Sequence, residues 1–203
     1  MFEPVEFTVD ELQLAISLSG IDSVVNGHFI ALEELTELTL SDFSFDALFV
    51  SGVSPEQGSE LSQICLSNHI DLVVFDNPAN NSAAIRDVVV NLADKLFSKE
   101  MPNNVDLADI LNLNQSSDYL FAFNNKASAL DYMGSQQLGV VVGGIYLAHG
   151  KTDLREYEVT NKELLLYFSE QAALCSSFHS TGLSECTILL GIKSQSSVSN
   201  NQY

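Results

Sequence analysis

Met101-Pro-Asn-Asn-Val-Asp-Leu-Ala-Asp-Ile110 follows the longest apolar-periodic segment of the chain and carries two carboxylates three residues apart. If a helix starts here, Asp106 and Asp109 share one of its faces. Asn104 or Asp106 is placed to cap it, and Pro102 helps to end the segment before it. By itself the stretch reads as a linker and a helix start, whose acids the helix macrodipole favours.

Upstream, Ala83–Lys99 is patterned as a long helix, with Ile85, Val88, Val89, Leu92, Leu96 and Phe97 in one wide apolar stripe. Before it, Phe45–Val50 and Asp71–Phe75 read as buried strands, and Pro55–Ser67 reads as a helix with Leu61, Ile64, Cys65 and Leu66 inward. Strand, helix and strand with short loops imply a right-handed parallel crossover. Nearer the N-terminus, Thr8 and Glu11 form a capping signature, so a short helix is expected from there to Gly20. Asn26-Gly27 signals a hairpin within Ser23–Ala31, and the acidic Leu32–Leu40 fits a helix or a strand, with a helix favoured up to Glu37. Downstream, Asp118–Phe123, Gly139–Ala148 and Cys186–Ile192 read as strands, and Ala127–Met133 as a short helix. Thr160 and Glu163 form a second capping signature, ahead of a helix through Leu164, Leu165, Tyr167, Phe168 and Ala172. The fold class is α/β. Four regions are expected: an N-terminal sheet region 1–82, a central helix 83–100, a small α/β domain 101–194, and a polar, disordered tail 195–203.

The chain has 203 residues, 46% of them hydrophobic, which is enough for a substantial core. Eight Lys and Arg stand against 27 Asp and Glu, for a net charge of −19. No cation precedes Arg86, while residues 1–85 hold fourteen of the acids. Such a surface repels phosphate backbones and anionic lipid, so neither nucleic acid nor membrane insertion is expected. The longest apolar run, Leu138–Ala148, is too short and Gly-rich for a span. Three cysteines, Cys65, Cys175 and Cys186, make no disulfide framework and read as reduced thiols of a cytoplasmic protein.

Motifs with chemical content are sparse. Gly144 and Gly150-Lys151-Thr152 are one residue too far apart for a phosphate-cradling loop, and the residues between them look like a strand end. Gly143-Gly144 reads as a place for close backbone packing. Cys175, His179 and Cys186, or Cys65 and His69, lack the spacing of a zinc set. No cofactor, metal or catalytic residue is therefore expected.

From Arg86 onward the chain resembles the tubulin/FtsZ family. Arg86-Asp-Val-Val-Val-Asn-Leu-Ala-Asp-Lys-Leu-Phe97 resembles that family's central helix. Asn104, Asp106 and Asp109 match, position by position, the Asn-x-Asp-x-x-Asp pattern of the FtsZ acidic loop. Gly139-Val-Val-Val, then Asp153-Leu-Arg-Glu-Tyr-Glu-Val159 ahead of a helix, and Thr187-Ile-Leu-Leu-Gly191 resemble parts of its C-terminal domain. The resemblance implies a reduced FtsZ-like fold and association in a cell-division setting. It also implies an acidic loop that reaches the nucleotide of a neighbouring subunit. The departure is at Ser51-Gly-Val-Ser-Pro-Glu-Gln-Gly58, where the family carries a glycine loop for GTP. Here Pro55 lacks a backbone donor and Glu56 repels phosphate. The implied function is that of a non-catalytic, pseudo-GTPase protein that caps or modulates a tubulin-like filament. Its partner would be an FtsZ-type subunit or a second copy of itself. Two alternatives stand beside it: a divergent GTPase using Ser51–Ser54 or Gly150–Thr152 at the phosphates, and a homodimeric scaffold.

Overall fold

The computed structural model describes residues 11–98, 105–135 and 139–194. Eight strands form one mixed sheet: β1 Leu14–Ser17, β2 His28–Phe29, β3 Ala47–Val50, β4 Asp71–Asp76, β5 Tyr119–Phe123, β6 Val140–His149, β7 Phe168–His179 and β8 Cys186–Lys193. Their spatial order is β2-β1-β3-β4-β5-β8-β6-β7. The pairs from β2 through to β5 are parallel; β8 runs antiparallel to both β5 and β6, and β7 is parallel to β6. Six helices cover the faces: α1 Glu37–Ser41, α2 Pro55–Ser67, α3 Ser82–Phe97, α4 Leu107–Ser116, α5 Lys126–Ser135 and α6 Leu154–Leu165.

Alternation along the strands divides the core in two. One face carries Ile16, Phe49, Val73, Phe75, Leu120, Ile145 and Leu189 under α3 and α4. On the other face α2 packs on Ala15, Leu48 and Val50, while α5 and α6 pack on Phe121, Phe123, Tyr146 and Ile188. The regions 1–82 and 101–194 share this sheet, meeting where Phe75 and Asp76 pair with Leu120 and Phe121. Gly143 and Gly191 lie opposite each other on β6 and β8. A Cβ at either would come within 2.8 Å or 2.6 Å of the Leu113 side chain, so two bare backbones let α4 sit close to the sheet.

The strands at β3, β4, β5, β6 and β8, and the helices α2, α3 and α5, follow the sequence expectations, parallel crossover included. Elsewhere the structure corrects them. The expected first helix is instead β1, whose four residues are all buried between two neighbouring strands. Leu12, Ala15 and Ile16 fit a helical period and an apolar strand equally well over so short a window. Thr8 and its capping signature lie outside the described residues. No hairpin forms at Asn26-Gly27: Gly27 has φ +89° but leads into β2, which is parallel to β1. The helix expected over Leu32–Glu37 is a 3-10 turn at Leu32–Glu34, followed by α1 capped by Thr36. Leu66, expected inward, is 79% exposed.

The largest correction is at the second capping signature. Asp153 caps α6 by accepting from the Glu156 amide at 2.8 Å, which makes Thr160 and Leu164 buried interior positions of a helix that ends at Leu165. Asp153–Val159 is thus the start of that helix rather than a lead-in to one. Residues 168–179, expected to be helical in part, form a twelve-residue strand. β6 offers ten residues of edge and β7 pairs along it from Val141↔Phe168 to His149↔His179, an alternative that outweighs local helix preference.

Candidate functional site

The quoted stretch is a complete helix start. Asp106 Oδ1 accepts from the Asp109 amide, and Asp109 Oδ2 accepts from the Asp106 amide, each at 3.0 Å. The two acids form a reciprocal capping box, with buried Val105 before the cap and buried Ile110 at the fourth helical position, as in a hydrophobic staple. The arrangement sets Asp106 exposed and Asp109 half-buried. Asn104 lies outside the described residues. Burial first, and then the neighbouring Asp109 carboxylate, pushes the Cys175 thiol of β7 up to about 11. A groove of about 370 Å³ runs from Asp109 past Gly143 and Gly144 to Gln171 and Cys175. Both acids are therefore accounted for as caps at the start of α4.

The loop after β3 is closed on itself. Ser51 is buried and donates its amide to the Ser17 carbonyl, and Gly52 turns the chain at φ +81°. Ser54 caps α2 in a second box with Gln57, and Pro55 occupies the first turn. The Ser54 hydroxyl donates to Glu56 at 2.9 Å. A backbone hydrogen bond first, then Ser54, holds the Glu56 carboxyl below its ordinary range. The amides that would meet a phosphate are taken by the protein's own side chains, beside a fixed negative charge.

Gly150-Lys151-Thr152 is a strand-exit turn closed by the Thr152 amide on the His149 carbonyl at 2.8 Å. Glu156 and Glu185 share its open cavity of about 620 Å³, so acids flank its single cation, Lys151. Among the described residues no group of three or more His, Cys, Asp or Glu is arranged to hold a metal ion. Cys65 and Cys186 are buried thiols, pushed by burial to about 11 and about 12.

Two features were not read from the sequence. The first is a buried polar seam along α3. Asp87, Asn91 and Lys95, each one helical turn apart, are 7%, 0% and 1% exposed. Asn91 donates to Thr187 Oγ1 and the Leu183 carbonyl and accepts the Leu183 amide at 2.7 Å. Lys95 Nζ donates to the Phe178 carbonyl at 2.8 Å, and Asp87 accepts from Arg86 and Asn124. His149 completes the seam, bonded to Thr187 Oγ1 and the Ser184 carbonyl; burial lowers its pKa. The second feature is a crevice of about 350 Å³ between the carboxyl ends of β4 and β5, walled by Phe123, Tyr132 and several asparagines. The turn-rich loop Asp76–Ser82 signals it only weakly, because its other wall comes from the β5–α5 turn.

The sequence matches no family model and no curated protein. Among solved structures, the chain is similar to CetZ from Methanosaeta thermophila strain DSM 6194 at 11% identity and a TM-score of 0.45, over 92% of this chain and 63% of CetZ. It is also similar to the dihydroxyacetone kinase operon co-activator Dha-DhaQ at 12% identity and a TM-score of 0.34, over 89% and 82% of the two chains. The chain thus spans under two thirds of the CetZ length. Scores at this level do not assign a family, and the architecture is established as α/β from its own topology. No described helix is long and apolar enough to cross a membrane.

Proposed function

We propose that this chain is a reduced tubulin/FtsZ-like protein that works by association rather than catalysis, docking through the α4 N-terminus on a tubulin-like subunit and capping or modulating its filament. The domain division at the central helix, the cytoplasmic setting and the part in cell division belong to the same reading. The observation that carries it is the contrast between two helix starts. Asp106 and Asp109 are held in a reciprocal capping box at the start of α4, with Asp106 exposed, where a loop donated to a neighbour's pocket would present them. The α2 start, where the chain's own phosphate loop would be, is filled by Ser54, Gln57 and Glu56. The acidic loop has then no nucleotide of its own to serve.

Mixing the protein with a GTP-loaded FtsZ-type subunit tests this, read by light scattering and GTP turnover. Assembly or turnover is expected to change at substoichiometric protein. Asp106→Asn with Asp109→Asn, which keeps the capping acceptors while removing both charges, is expected to abolish the effect with folding intact. Unchanged assembly and turnover with the unsubstituted chain overturns the proposal. A rise in melting temperature with GTP, GDP or ATP would instead favour the divergent-GTPase reading, and a dimer on sizing the scaffold reading.

A further inference from the structure

The crevice between β4 and β5 is a product of topology. The helix after β4 is α3, which packs on one face of the sheet, and the helix after β5 is α5, which packs on the other. Two adjacent parallel strands whose chains leave in opposite directions open a cleft at their carboxyl ends, and this is where ligands of open α/β sheets bind. At about 350 Å³ the cleft is large enough for a small organic molecule.

Its walls state what kind. Phe123 is buried, and the Tyr132 ring lies 5.5 Å from it at 34° while meeting Phe121 edge-on at 5.4 Å, so an aromatic surface is fixed in place. The amino ends of α3 and α5 both face this cleft, which ordinarily favours an anion. Here most of those donors are already taken. Asn81 Oδ1 takes the Ala84 amide at 3.1 Å, Asn125 Oδ1 takes the Ser128 amide at 2.9 Å, and Asn77 Oδ1 takes the Ala79 and Asn81 amides. Among the described residues, the only charged side chain on the wall is Asp131, and no Lys, Arg or His lines it. The net charge of −19 adds a field of the same sign. An anion meets a carboxylate and spent amides; an uncharged ring leaves Asp131 without a counter-charge.

We infer that this crevice binds a small primary amine with an aromatic body, its ring against Phe123 and Tyr132 and its ammonium at Asp131. The inference is independent of the filament-association reading.

Titration calorimetry on the full chain with tyramine, its uncharged analogue tyrosol and inorganic phosphate tests it. Tyramine is expected to bind about threefold to fivefold more tightly than tyrosol, the ratio that one solvent-exposed ion pair supplies. Asp131→Asn, at an exposed position, is expected to erase that ratio without lowering the melting temperature, and Tyr132→Leu to weaken both amine and alcohol. Equal binding of tyramine and tyrosol, competition by phosphate, or no tyramine binding up to millimolar concentration each overturns it.

Discussion

The central helix α3 presents two very different sides to the same sheet. On one, Ile85, Val88, Val89 and Leu92 enter the apolar layer shared with Val73, Phe75, Leu120, Ala122 and Leu189. On the other, Asp87, Asn91 and Lys95 are buried just as deeply against the β7–β8 turn, the ends of those strands and Asn124. The apolar side gains stability by removing area from water, a non-directional effect that tolerates small shifts. The polar side gains little net energy, because each bond replaces one to water, yet every unmade bond there is expensive. It fixes register: Asn91 reads both the amide and the carbonyl of Leu183, and only one placement of the β7–β8 turn satisfies it. Packing thus holds α3 to the middle of the sheet, while directional bonds fix it against the β7–β8 turn and the ends of those strands.

Substitutions can break or sharpen that contrast. Leu92→Ala, at a fully buried site, is expected to cost about 3 kcal/mol from lost transfer energy and a residual cavity, seen as a lower urea midpoint at unchanged slope. Asn91→Ala is expected to cost about 2 kcal/mol, since it strands the Leu183 amide and carbonyl and the Thr187 hydroxyl. A cost near zero would mean that water replaces Asn91 and that the polar side is not dry. The smallest effect is a pH dependence through His149. Burial lowers its pKa, so the unfolded chain takes up a proton first. Its contribution is complete above the ordinary value near 6.5 and is lost as pH falls from there towards the lowered native value, by at most about 1.4 kcal/mol per pH unit. Urea midpoints at pH 7.5 and 5.5 are expected to differ less in His149→Gln than in the unsubstituted chain.

Much of the fold was legible because pattern and structure had the same period. Pro55–Ser67 and the long helix ending at Phe97 announced themselves by apolar spacing, and Asp71–Phe75 by a short apolar run. Leu14–Ser17 was misread because four apolar residues fit either period, and burial on both faces decided for the strand. Phe168–His179 was misread because its edge partner β6 is distant in sequence. At the sites the division is similar. The Asp106–Asp109 cap depends on residues three apart and could be anticipated. The α3 seam could not, since Asp87, Asn91 and Lys95 have the spacing of an ordinary solvated stripe.

By itself, then, the sequence determined what depends on neighbours within a turn or a strand: the helices with a clear apolar period, the place of Asp106 at a helix start, and that the surface is acidic. Only the tertiary structure decided what depends on residues far apart in the chain. It put the polar stripe of α3 out of water, closed the loop after β3, and opened a cleft where α3 and α5 leave on opposite faces. A side chain's spacing records the conformation of its own segment, but its burial and its partners are set by whichever strand the fold brings against it.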